Sequence, residues 1–259
     1  MTIDQLLIIP DRHQLSEYQT LAEQYNLGFE FNDFFAPAML DDESLTEQTV
    51  QHYMDSEDLP CYRTSHGAFL DVTIFSDDMA IYKASDYRVE QSLCIAQKLG
   101  AKGVIFHTNY ITNFLSDTYR DGWVKKNIEY WTKKAEQYKD INIYIENMFD
   151  DTPELISRLG EGMMGIANFG LCFDYAHAQV FGNPEEIGTW VKMLSPYVKH
   201  IHINDNDLKK DLHLAVGDGC IDWQEFKHYY EEYFYDATVL IEVNGIEKIK
   251  KSLEFLDKL

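Results

Sequence analysis

Residues 103–107 read Gly-Val-Ile-Phe-His and residues 141–146 read Ile-Asn-Ile-Tyr-Ile-Glu, with the helix-patterned stretch Val124–Tyr138 between them. Both runs are short and rich in β-branched and aromatic residues, as strands covered on both faces are. Each ends on a side chain able to take part in acid–base or metal chemistry. The same unit of strand then helix extends in both directions. Toward the N-terminus it pairs Leu6–Ile9 with Leu15–Tyr25, Gly28–Phe31 with Ser44–Tyr53, and Tyr62–Phe69 with Tyr87–Leu99. Toward the C-terminus Ile141–Ile145 leads to Pro153–Leu159, Gly165–Phe173 to Glu185–Leu194, Val198–Ile203 to Trp223–Phe234, and Val239–Val243 to Ile246–Leu259. Val89, Leu93, Ala96 and Leu99 keep a helical apolar stripe, and Gly100 stops it. Eight such units without a linker or low-complexity tract predict one domain over residues 1–259, closed as a parallel (β/α)8 TIM barrel. A doubly wound open sheet is the alternative, but its first turn, Pro10-Asp11-Arg12-His13, carries no GxGxxG for a dinucleotide.

Charge narrows the partners. The chain of 259 residues sets 44 Asp and Glu against 22 Lys and Arg, a net charge of −22. Nucleic acid or an anionic membrane surface calls for a basic patch that this composition does not advertise, so a small-molecule substrate is expected. No apolar run approaches the roughly 18 residues of a membrane span. The first fifteen residues, with Asp4, Pro10 and Asp11, lack the pattern of a secretory signal. Cys61, Cys94, Cys172 and Cys220 form no CxxC pair and read as buried, reduced thiols. A cytoplasmic location is the expectation.

In a barrel of this kind chemistry sits at the C-terminal ends of the strands. There His66 follows the third strand, His107 the fourth, Glu146 the fifth, Asp174 the sixth, His202 the seventh and Glu242 the eighth. The loops add Asp174-Tyr-Ala-His177, which puts both groups on one side of a first helical turn, and Asp211-Leu-His213, which does the same in extended backbone. Mixed carboxylate and imidazole without neighbouring cysteine suits zinc or manganese with open coordination positions, hence catalysis. His13, His52, His200 and His228 fall off the rim and read as surface or core histidines.

This ordered set of nine residues resembles the xylose isomerase-like TIM barrel superfamily, also called the type 2 AP endonuclease family. It is similar to the complete ligand set of the endonuclease IV trinuclear zinc site. That resemblance implies one ion on His66, His107 and Glu146, a second on Glu146, Asp174, His202 and Glu242, and a third on His177, Asp211 and His213. The isomerase and epimerase branch resembles only the second group, and there the two glutamates act as acid and base. The loop HINDNDLKKDLHLAVGDGCIDW is similar to a form frequent in sugar isomerase-like members. After His107 the chain reads Thr-Asn-Tyr and after Glu146 Asn-Met-Phe-Asp-Asp, where the repair enzymes carry glycine-containing turns.

Two activities follow as expectations. The first is isomerisation or epimerisation of a small sugar-like or cyclitol carbonyl compound, with Glu146 and Glu242 moving the proton, His177 orienting, and one to three divalent ions, zinc or manganese, as cofactor. The alternative is a multinuclear zinc phosphoesterase resembling endonuclease IV. Against a DNA substrate, Asp150, Asp151, Asp205 and Asp207 are expected to face the duplex and repel it.

Overall fold

Alternation within very short strands decides what fills the barrel. In the computed structural model, which describes residues 5–259 and so leaves Asp4 outside, eight parallel strands close in sequence order. They are β1 (Leu6–Ile8), β2 (Gly28–Phe31), β3 (Arg63–His66), β4 (Gly103–His107), β5 (Asn142–Glu146), β6 (Phe169–Asp174), β7 (Val198–Ile203) and β8 (Thr238–Ile241). Strand β8 pairs back onto β1 through Leu240 and Leu7, and a helix follows every strand. The expected single (β/α)8 barrel is the observed fold.

Residues two apart share a face of a strand. The interior therefore consists of stacked layers, as in other barrels of this class. One layer holds Leu7, Glu30, Thr64, Ile105, Tyr144, Cys172, His200 and Leu240, all buried. Its members touch: Leu7 packs with Leu240, Ile105 with Tyr144 and Cys172, and Tyr144 stacks on His200 at 5.4 Å between ring centres. Two residues further along the same strands come Ile9, Asn32, His66, His107, Glu146, Asp174, His202 and Glu242. The large apolar core lies outside this cylinder, where Val104, Phe106, Ile143, Ile145 and Phe173 meet helix residues such as Leu93, Trp131, Leu155 and Trp190.

Helix starts differ from the sequence reading for one reason. The helices Met79–Lys98 and Asp117–Gln137 begin well before Tyr87 and Val124 because Asp78 and Ser116 cap them, accepting from the N–H of Ala80 and Tyr119. Their first turns, residues 79–82 and 117–120, bury no side chain, so the apolar stripe that marks a helix starts only further along. The thiols also need correction. Cys172 is buried, but Cys61, Cys94 and Cys220 are exposed, on a loop, an outer helix face and a loop respectively. Among the described residues no helix is long and apolar enough to cross a membrane.

Candidate metal centre

Six of the nine side chains singled out by the sequence stand one layer above the polar interior, each at or just beyond the C-terminal end of its strand. Glu146 is their hub. Its Oε2 lies 3.4 Å from His202 Nδ1, 3.5 Å from His107 Nε2 and 3.8 Å from His66 Nε2, while Oε1 lies 3.5 Å from His177 Nδ1. Across His202, Glu242 Oε2 stands 3.6 Å from the same Nδ1.

The loop residues join through local geometry. Asp174 caps the short helix Tyr175–Val180 by accepting from the N–H of His177, which brings that imidazole 3.4 Å from Asp174 Oδ2. Asp211 Oδ2 lies 3.3 Å from His177 Nε2 and 3.1 Å from His213 Nε2. The loop that carries Asp211 and His213 is organised by Asp205. Its carboxylate accepts from the N–H groups of Asn206, Gly217 and Ile221 and from Trp223 Nε1, and its backbone pairs with Leu214. His213 sits in the left-handed region at φ 44°, uncommon for a bulky side chain, and its Nδ1–H donates to the Glu242 carbonyl at 2.8 Å.

Three groups result, the first two sharing Glu146, each with ligand atoms mutually within 4.8 Å: His66, His107 and Glu146; Glu146, Asp174, His202 and Glu242; and His177, Asp211 and His213. Donor accounting tests whether a cation fits. Glu146 Oε1 and Oε2, Asp174 Oδ2, Asp211 Oδ1 and Glu242 Oε2 are buried without a hydrogen-bond partner among the described residues. Buried acceptors are normally paired, and here the groups facing them are one another and imidazole nitrogens. His66 and His213 each give Nδ1–H to a backbone carbonyl, which turns Nε2 toward the carboxylates, the arrangement that metal-ligating histidines use. The donor set fits divalent cations.

Electrostatics follow from burial and crowding. Burial alone would raise the Glu146 carboxyl, but His202 and His107 outweigh it and hold the group well below the usual carboxylate range. Burial dominates at Glu242, pushed up to about 8, and also raises Asp174. It lowers His66 to about 4, with His107 adding repulsion. At His177 and His202 surrounding anions overcome burial and hold the imidazoles well above their ordinary value. At His213 the Asp211 hydrogen bond overcomes burial and gives about 9.

Not every sequence expectation survives. Asp150 and Asp205 do not face a duplex: both are buried, Asp150 accepting from Thr108 Oγ1 and the Met148 N–H, Asp205 holding its own loop. Asp151 is exposed and Asp207 half-buried. His13, His52 and His228 are surface residues and His200 is core, as read. Sequence reasoning passed over Asn147, whose amide donates to the Asp174 carbonyl and accepts its N–H, both at 2.9 Å, tying β5 to β6. It also passed over Glu30 and Cys172. Counting back two residues from Asp174 would have found Cys172, but β2 carries no rim ligand from which to reach Glu30.

Comparison with known proteins places the architecture. The uncharacterized protein MJ1311 of Methanocaldococcus jannaschii is 27% identical over 201 residues, 74% of this chain and 67% of its own. A D-tagatose 3-epimerase-like protein superposes with a TM-score of 0.73 at 22% identity, over 97% of this chain and 96% of that one. Endonuclease IV from Thermus thermophilus does so with a TM-score of 0.67 at 15% identity, over 98% of each chain. Residues 21–259 match the family model described as xylose isomerase-like TIM barrel, and the chain belongs to that family.

Proposed function

We propose that the protein is a divalent-metal-dependent isomerase or epimerase acting on a small, uncharged sugar-like or cyclitol carbonyl compound. One observation carries the reading: Glu146 and Glu242 both stand at His202 Nδ1, 3.4 and 3.6 Å away, within a single group of four ligands, so two carboxylates are available at one ion position. The resemblance to a D-tagatose 3-epimerase-like protein agrees with it. Zinc or manganese on Glu146, Asp174, His202 and Glu242 would, when bound, supply Lewis-acid polarisation of the substrate oxygen and acidify the neighbouring C–H.

The remaining chemistry belongs to the chain. Glu242, one of the two carboxylates of the four-ligand group, acts as the base that takes the proton from carbon. For epimerisation Glu146 delivers a proton to the carbon from which Glu242 removes one, and His177 Nδ1, 3.5 Å from Glu146 Oε1, orients that carboxyl group. Asn147 keeps Asp174 in place. The test is incubation of metal-loaded protein with a panel of ketoses and cyclitol ketones in D2O. Deuterium should enter at the carbon next to the carbonyl, and Glu242→Gln should cut that exchange by roughly 10²–10⁴-fold. Product formation with no solvent exchange in any active substrate would refute proton transfer through these glutamates.

A second reading, hydrolysis of a phosphoester, is favoured by the two additional histidine-bearing groups around Glu146 and Asp211, more ligands than one ion needs. Chelator-sensitive, zinc-restored cleavage of an abasic duplex at physiological salt would replace the first reading with this one.

A further inference from the structure

Glu30 is fully buried on β2, a strand that contributes none of the candidate ligands. It has no part in the proton transfers above, and an ionised carboxylate costs several kcal/mol to bury unless its surroundings compensate. Its two oxygens face different partners. Oε2 accepts from Thr64 Oγ1 at 2.7 Å and stands 3.2 Å from His200 Nε2. Oε1 stands 3.3 Å from His202 Nε2, the nitrogen on the far side of the ring from Glu146 and Glu242; as placed the two atoms close no hydrogen bond, and neither has another partner among the described residues.

An ionised carboxylate only accepts hydrogen bonds. Thr64 and His200 address Oε2, so the neighbour able to supply a hydrogen to Oε1 is His202, through Nε2. Were the hydrogen on Nδ1 alone, an Nε2 lone pair would oppose a charged oxygen at 3.3 Å inside the barrel, and the hydrogen would occupy the space between His202, Glu146 and Glu242. With the hydrogen on Nε2, the Nδ1 lone pair points into that space. From this geometry we infer that Glu30 is a positioning residue for the centre: by accepting the Nε2 hydrogen of His202 it fixes the ring and tautomer that turn Nδ1 toward Glu146 and Glu242. The inference rests on the metal-centre reading given under the proposed function.

The same nitrogen is claimed by a rival arrangement. Ligand atoms of Cys172, His200 and His202 also lie within 4.8 Å of one another, and an ion held there would need His202 Nε2 without its hydrogen. The two arrangements exclude each other at one atom.

Long-range ¹H–¹⁵N spectra of the zinc-loaded, ¹⁵N-histidine-labelled protein read that atom directly, with His202 assigned by its loss in His202→Asn. The expected result is a protonated Nε2 and a zinc-shifted Nδ1; an unprotonated or zinc-shifted Nε2 overturns the inference. In parallel, zinc affinity is measured against a chromophoric chelator for the wild type and Glu30→Leu. The variant should bind zinc about 10–100-fold more weakly, the usual cost of losing such a partner. Wild type that binds neither zinc nor cobalt removes the metal centre and this inference with it, whereas wild type that binds and a variant of equal affinity removes the inference alone. If Glu30→Leu does not fold, the wild-type spectra decide. A thiolate-to-cobalt charge-transfer band in the cobalt-loaded wild type would place the ion on Cys172 and overturn the inference as well.

Discussion

Returning zinc to protein stripped with a chelator should raise its melting temperature by about 8–16 °C, a value set by mass action at saturating zinc and made possible by the orphaned acceptors. Five buried carboxylate oxygens, on Glu146 (both), Asp174, Asp211 and Glu242, have no hydrogen-bond partner among the described residues. At about 1–3 kcal/mol for each unmet acceptor, some 5–15 kcal/mol of interaction awaits a cation. Part of that goes into displacing protons from imidazoles that the metal-free site holds charged, His177 and His202 above all. Free zinc at about 1,000 times its dissociation constant stabilises the folded state by about 4 kcal/mol, which falls short of even the lower bound. For a chain of this size each kcal/mol moves the midpoint by about 2–4 °C. Differential scanning calorimetry in metal-free buffer near pH 7.5 makes the measurement, with manganese and cobalt in parallel and magnesium as the hard-cation control. A folded, stripped protein whose midpoint is indifferent to saturating zinc, manganese and cobalt would refute the reasoning, because its orphaned oxygens would then be satisfied some other way.

The metal-free protein should lose stability between about pH 4.5 and pH 9. Glu242 and His213 have folded values raised to about 8 and about 9, so their contribution is complete below the unfolded values and disappears as pH rises through the folded ones; denaturant midpoints against pH check this. At the acid end, Glu146, Glu30 and Asp211 are held low and lose their contribution as pH falls through their folded values, which should give a second decline well below pH 4. Asp205→Ala should cost roughly 3–5 kcal/mol in urea unfolding, since it strands four N–H donors, and should weaken zinc binding by unfastening the loop of Asp211 and His213. Of the four thiols, Cys61, Cys94 and Cys220 should react with a disulfide reagent in the native protein, whereas Cys172, whose thiol burial pushes up, should react only on unfolding. Fast reaction of all four would contradict its enclosure.

The barrel was legible because each short strand and the amphipathic helix after it announce themselves by different periods, and the repetition of that pair leaves few closures. Six of the nine candidate ligands were legible for a related reason: a strand end is easy to locate when the next residues turn polar; His177, Asp211 and His213 were legible from their spacing in DxxH and DxH. What lay beneath was not. Glu30 sits inside Gly-Phe-Glu-Phe, where a lone acid among aromatics looks like the polar face of a half-exposed strand, and nothing local says that β2 is buried on both sides. Asp150 and Asp205 failed in the opposite direction. Each stands in an acidic run and reads as surface charge, but each is turned inward by backbone N–H groups that only the folded loop supplies. Counting acids along a sequence overstates the charge a ligand meets when some of those acids are loop fasteners.

That correction bears on the substrate. With Asp150 and Asp205 withdrawn, repulsion of a polyanion no longer rests on a ring of acids at the mouth, and the cations become the better guide. Gripping a phosphate backbone takes Lys and Arg side chains free to release counterions. Lys209 and Lys210 are exposed beside Asp211, whereas Arg12 is engaged by Asp33, Lys126 by Asp77 and Arg120 by Glu154. The three ion-paired cations arrive already neutralised, so recruiting one would mean breaking an ion pair worth up to about 1 kcal/mol at the surface and exposing another acid to the incoming phosphate, which leaves the two lysines as the cations at hand. A neutral polyhydroxylated substrate meets no such penalty and needs only the carboxylates and imidazoles gathered around Glu146. The two cases separate by salt. Turnover of a neutral sugar should be nearly flat between about 50 and 200 mM salt, whereas a duplex substrate held by several phosphate contacts should lose affinity by orders of magnitude over about that range. A steep fall for the preferred substrate would mean that these ion pairs open to bind it, and would reverse the assignment in favour of phosphoester chemistry.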